Sequence, residues 1–181
     1  MAFLLADEEQ EIIDLRANGS LSHFLSYFSG VELSSPFFFF SLIMDKRIRK
    51  YCEHIRKAQI NVLRKNKETK VWYWDLPAMA AICHDKRDVH FAKGYAHNPK
   101  GTKWHSFLKR KLLALGNIGK GSHIGQRYII GNCAEQHAGN NYMNKYHEND
   151  VSKLHFTEAV RPRTMQVFPY CENCKTIFPN L

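Results

Sequence analysis

Three cysteines, two of them in a Cys-x-x-Cys pair, constrain this chain more than any other feature. Cys133 stands in Gly131-Asn132-Cys133-Ala134-Glu135; Cys171 and Cys174 stand in Pro169-Tyr170-Cys171-Glu172-Asn173-Cys174. Zinc prefers thiolate and imidazole ligands in tetrahedral geometry, and a catalytic zinc keeps three protein ligands and leaves a fourth position for water. A Cys-x-x-Cys at the start of a helical turn lets two sulfurs face one point, and a helix N-terminus favours thiolate over thiol. If Cys133 begins its own helix, two helix N-termini converge on one Zn2+. The ion would lower the pKa of its water and make hydroxide available near neutral pH. Glu135, two residues after Cys133, lies close to such a metal but is aimed differently. That suits a carboxylate which takes the water's proton and passes it to a leaving group.

A second arrangement of the same residues is a closed structural site. His137 stands four residues after Cys133, so both can face one metal from a helix. Cys133, His137, Cys171 and Cys174 would then make four ligands with no open position. Such a protein would be a nucleic-acid-binding module without catalysis. Under the catalytic reading His137 faces the core or the wall of the pocket.

Charge points to the partner. Of 181 residues, the first 35 carry six acids and one base; the remainder carries 25 bases against 11 acids, a net +14. A basic body of this size fits a polyanion, with single-stranded DNA or RNA the first candidate. Lys109, Arg110, Lys111, Arg127, Arg161 and Arg163 are the candidate phosphate contacts, and Trp72, Tyr73, Trp74, Tyr95 and Trp104 the candidate stacking residues. Five cysteines at these spacings do not read as a secreted disulfide framework. The N-terminus has acids where a signal peptide has bases, and the most apolar run, Pro36 to Met44, is too short to span a bilayer. The expected site of action is therefore aqueous and cytoplasmic, with no membrane partner.

Periodicity places these motifs. Helices are expected over Asp7 to Ala17 and from Leu21 to Phe28, and a long amphipathic helix from Asp45 to about Lys67. Val71 to Trp74 is β-like. Ala78 to Cys83 and Val89 to Tyr95 form a hairpin around the turn Asp85-Lys86-Arg87-Asp88. Trp104 to Leu115 reads as a helix with a basic face, followed by a loop at Gly116, Gly119 and Gly121. Cys133 to Tyr146 is helical, Leu154 to Val160 is a strand, and Thr164 to Phe168 is a short extended stretch. A boundary near residue 68 divides an N-terminal helical segment (1–68) from the domain that holds the cysteines (69–181).

A ligand, a Glu two residues on, and a distant Pro-Cys-x-x-Cys-like motif together are the signature of zinc-dependent base deaminases. Residues 71 to 178 resemble the cytidine deaminase-like superfamily. Gly131-Asn132-Cys133-Ala134-Glu135-Gln136-His137-Ala138 and Cys171-Glu172-Asn173-Cys174-Lys175 are most similar to bacterial polymorphic-toxin deaminases of the YwqJ-like group. The resemblance implies a three-layer α/β/α fold with a mixed β-sheet. It implies hydrolytic deamination of a nucleobase, with cytosine in single-stranded nucleic acid the first candidate and adenine or a free nucleoside the alternatives. It also implies a toxin role and an acidic inhibitor or immunity protein as a partner. Gly94-Tyr95-Ala96-His97-Asn98-Pro99 resembles the end of the family's second strand, where an Asn often contacts the substrate. Asn98, with His97, Tyr95, Ala134 and Pro169, is the substrate-binding set by that resemblance. Tyr170 departs from the family pattern by separating Pro169 from Cys171. Typical members also continue after Cys-x-x-Cys with a helix and two strands. The expectation is thus a short-ended form carrying extra N-terminal helices.

Overall fold

The computed structural model describes residues 36–124 and 128–181, with side chains from Met44 onward. The helices expected over Asp7 to Ala17 and Leu21 to Phe28, and the candidate phosphate contact Arg127, lie outside the described residues.

Helix α1 (Pro36–Lys57) includes the Phe-rich run. Met44, Ile48, Tyr51, Cys52 and Ile55 recur at helical spacing and are all buried. They pack on Ala80, Ile82, Phe91 and Val160. The expected extension to Lys67 is corrected: α1 stops at Lys57. Gln59 takes a left-handed φ of 48°, and β1 (Val62–Lys65) pairs antiparallel with β2 (Trp72–Asp75). Pairing of Val62–Lys65 with Trp72–Asp75 takes these residues out of the helix. Ile60 and Val62 are β-branched, and Asn66 builds a tight turn by accepting the N–H groups of Glu68 and Thr69 at 2.8 and 2.9 Å.

The main sheet contains β3 (Ala80–His84), β4 (Phe91–Tyr95), β5 (His155–Phe156), β6 (Ala159–Arg161) and β7 (Gln166–Phe168). Its order is β4-β3-β6-β7, with β5 also paired to β3. The β3–β4 hairpin runs from Ala80 opposite Tyr95 to His84 opposite Phe91, as its polar turn predicts. The expected strand from Leu154 to Val160 is divided. Between β5 and β6, Thr157 donates its N–H to the Ile82 carbonyl at 3.0 Å and accepts the Ile82 N–H on its hydroxyl at 3.1 Å. A side chain there takes the place of a ladder partner.

Every described strand pair is antiparallel, which corrects the expectation of a mixed sheet. Parallel neighbours need a crossover of a dozen residues or more. Here β6 and β7 are joined by a tight turn, in which Met165 N–H donates to Arg161 O at 2.8 Å.

Strand β3 is inaccessible on both faces from Ala80 to Cys83, so helices cover the sheet twice. Ala80 and Ile82 face α1. Ala81 and Cys83 face the second core, with α2 (Ser106–Ala114), α3 (Ala134–Tyr146) and α4 (Glu172–Ile177). Helix α3 sits directly on β4, because Gly94 has no side chain to hold it off. A Cβ there would lie 2.2 Å from Ala138 N and 2.8 Å from Ala134 O. No helix among the described residues is long and apolar enough to cross a membrane.

Candidate metal centre

Cys133 and Cys171 are the N-cap residues of α3 and α4, both with extended backbone. The two helices start at one place, as expected. The Sγ atoms of Cys133, Cys171 and Cys174 all lie within 4.8 Å of one another, and those of Cys133 and Cys171 are 3.3 Å apart. Zinc–sulfur bonds of about 2.3 Å in a tetrahedron put sulfurs about 3.8 Å apart, so these three fit one zinc ion with small adjustment. Cys174 is fully buried, while Cys52 and Cys83 lie elsewhere in the core.

Among the described residues the mutually close donor group contains these three sulfurs and no fourth atom. Glu135 adjoins it from the Cys174 side, with Oε2 3.7 Å from Cys174 Sγ. Glu135 stands in the first turn of α3 and is buried. Burial pushes the Glu135 carboxyl up to about 7, and the negative charge of Cys171 adds to the shift. A carboxyl that titrates near neutral pH can both take and give a proton.

The sulfurs divide their protons unequally. Thiol donation from Cys133 and then Cys174 pulls Cys171 down to about 3, against the opposing effect of burial, with the N–H groups of Cys174 and Asn173 assisting. Cys133 and Cys174 are pushed well above the ordinary thiol range: Cys133 chiefly by its hydrogen bond to Cys171, Cys174 by its hydrogen bonds to Cys133 first and Cys171 second, with burial adding to both. A divalent cation bound among them would deprotonate all three.

His137 is not in the group of mutually close donor atoms formed by Cys133, Cys171 and Cys174. Its ring stacks on His97, with centroids 3.6 Å apart and planes at 19°, and lies 5.2 Å from the Trp104 ring. Its Nε2 is 3.3 Å from the His97 carbonyl. Position i+4 shares a helix face with Cys133, but Cys133 is the N-cap. His137 packs instead against His97, just after β4, and Trp104.

The other sequence-derived candidates divide. His97 is half-buried as one ring of this stack, and Tyr95 tilts against it at 5.0 Å. Ala134 is buried at the start of α3. Asn98 is exposed, and its Oδ1 accepts the Lys100 N–H at 2.9 Å; the side chain is engaged in its own turn. Pro169 is exposed, and Tyr170 anchors that segment by donating its hydroxyl to Phe156 O at 3.1 Å. Lys109, Arg110 and Lys111 are exposed on α2, with the Arg110 guanidinium 4.5 Å over Phe107. Arg161 lies at the end of β6, 4.3 Å over the Phe168 ring, and Arg163 pairs with Asp75.

Three positioning residues escape the motif reading. Gln136 is fully buried and accepts the Gly131 N–H at 2.7 Å, holding the loop ahead of Cys133. Gly131, with φ of 85°, passes so close to Pro99 that a Cβ would sit 2.8 Å from it. Asn140 accepts the His105 N–H at 2.7 Å and donates to Lys103 O at 3.1 Å, fixing the segment that carries Trp104. The i, i+4 spacing of Gln136 and Asn140 on one buried helix was the available signal.

No family model, curated protein or solved structure matches the chain.

Proposed function

We propose that this chain is a zinc-dependent hydrolase that deaminates a nucleobase, cytosine to uracil in single-stranded nucleic acid. The observation that carries the reading is the three-sulfur group with Glu135 beside it and His137 held out of it. A structural zinc needs a fourth protein ligand, whereas a catalytic one needs an open position and a nearby acid–base group. The order of elements also supports the reading. A hairpin (β3–β4), a helix opening with Cys-Ala-Glu, a strand beside β3 and a helix opening with Cys-x-x-Cys match the order expected of the deaminase superfamily.

Cys133, Cys171 and Cys174 would hold the metal. When bound, zinc supplies a Lewis acid and an acidified water. The chain's own chemistry is proton management. The Glu135 carboxylate takes a proton from the attacking water and delivers it to the departing amino nitrogen. Water oxygen bonds to the amino-bearing carbon, the C–N bond breaks, and ammonia leaves. Burial of Glu135 keeps bulk water from competing for that proton. The basic balance of residues 36–181 favours a polymer over a free nucleoside, which needs no extended positive surface.

Sequencing nucleic acid from cells that express the protein, with a Glu135→Ala control, tests this. C-to-T changes that vanish in the control are expected. A-to-G changes would move the substrate to adenine, and no change at any base would overturn the proposal.

A further inference from the structure

The β1–β2 ribbon is a separate two-stranded sheet. Its register puts Leu63 opposite Trp74 and Lys65 opposite Trp72. Side chains alternate along a strand, so these four share one face. That face is open: Trp72 is 56 % exposed, Trp74 67 % and Leu63 49 %, and Lys65 is exposed as well. The opposite face carries Tyr73, 44 % exposed, and the tied-down pair Arg64 and Asp75. Asp75 pairs with Arg163 and lies 3.4 Å from Arg64, which also donates to Leu76 O at 3.5 Å. An isolated two-stranded ribbon is marginal in water, and two bare tryptophans do not stabilise it. The core does not use them.

We infer that the Trp72–Trp74 face of this ribbon is a stacking platform for single-stranded nucleic acid. The charges that border the rings select a polyanion. Lys65 Nζ lies 5.6 Å from the centre of the Trp72 ring, and the turn that closes the ribbon adds Lys67 and Lys70 against Glu68. Rings interleaved with cations are the recurring chemistry of single-strand grooves. Spacing argues the strandedness. Same-face neighbours on a strand are about 6.6 Å apart, roughly twice the ~3.4 Å step of stacked bases. Bases must therefore be splayed to meet both rings, which a duplex forbids. Continuity argues the purpose. Four residues after β2, Met79 O accepts the Ala96 N–H at 2.9 Å. The next residue, His97, stacks on the helix that starts at Cys133. The ribbon is thus rooted beside the loop that flanks the metal centre. The inference deepens the proposed reading of a polymeric substrate and rests on it.

The test uses the full chain and fluorescein-labelled 12-nucleotide oligo-dT and oligo-U, whose bases carry no amino group to remove. Binding is then read apart from catalysis. Anisotropy titrations should show the single strands binding, with tryptophan quenching. The Trp72→Thr/Trp74→Thr double variant, which keeps β propensity, should bind at least tenfold more weakly, and Trp72→Phe/Trp74→Phe should lose less. The two oligomers decide between DNA and RNA. Equal affinity in the threonine variant, equal affinity for a matching duplex, or binding only to anionic lipid vesicles would overturn the inference. Failure of the deamination reading looks different: oligomer binding would survive while no base is converted.

Discussion

The imidazole rings of His97 and His137 lie face to face, 3.6 Å between centroids. The stack fixes His137 as a neutral packing group. Burial first, and the adjacent His97 second, push its pKa down to about 3 from an ordinary 6.5. Between those values the unfolded chain binds a proton that the folded chain refuses. Its contribution is therefore intact above about pH 6.5 and is lost progressively as pH falls to about 3. Urea unfolding across this range should show a falling midpoint in the wild type and a flatter profile in His137→Phe, which keeps a ring in the stack. The same slope in both would remove His137 from the account.

The metal ligands are set by the same geometry. The protein is expected to hold one zinc, with X-ray absorption showing three sulfurs near 2.3 Å and one lighter ligand. Cys133→Ser, Cys171→Ser and Cys174→Ser should each weaken zinc binding by tenfold or more, while His137→Phe keeps the metal. Loss of zinc in His137→Phe with the fold intact would restore the closed site.

Thiol reactivity reports the proton distribution without metal. Cys171 is held as a thiolate near neutral pH, while burial pushes Cys52 up to about 12 and Cys83 well above the ordinary range. Iodoacetamide should therefore modify the zinc-free protein first at Cys171, with Cys52 and Cys83 protected until the chain unfolds. Zinc should suppress the Cys171 reaction. Peptide mapping by mass spectrometry reads all three sites.

Gly94 lets the helix that carries Cys133 and Glu135 rest on β4. A methyl group there meets backbone at 2.2 Å, and backbone cannot rotate away as a side chain does. Gly94→Ala should lower unfolding free energy by about 3 kcal/mol or more and lower zinc affinity with it. A change within about 0.5 kcal/mol would mean that the helix stands farther off.

What was legible in the sequence tracks how local the determining force is. The β3–β4 hairpin, α2 and α3 each carry their signals within a few residues: a polar turn, a periodic face, a cysteine at the cap. The end of α1 was not legible, because the 3.6-residue pattern continues past Lys57 while pairing with Trp72–Asp75 claims Val62–Lys65. That pairing is a tertiary override of propensity. The meeting of Cys133 with Cys171 was legible from motif chemistry. The catalytic reading also placed His137 on the core or pocket wall, but its partners there, His97 and Trp104, were not legible because they come from distant parts of the chain. The engagement of Asn98 with Lys100 was equally hidden, because an Asx turn and a substrate contact use the same atom.

The most direct test of the central claim is base conversion by the zinc-loaded protein on a single-stranded oligonucleotide with one cytosine, scored by mass. Conversion to uracil is expected for the wild type. Glu135→Ala, holding its full zinc, should be at least a hundredfold slower. A wild-type protein that holds its zinc and converts no base, or a Glu135→Ala variant that converts at the wild-type rate, would contradict it.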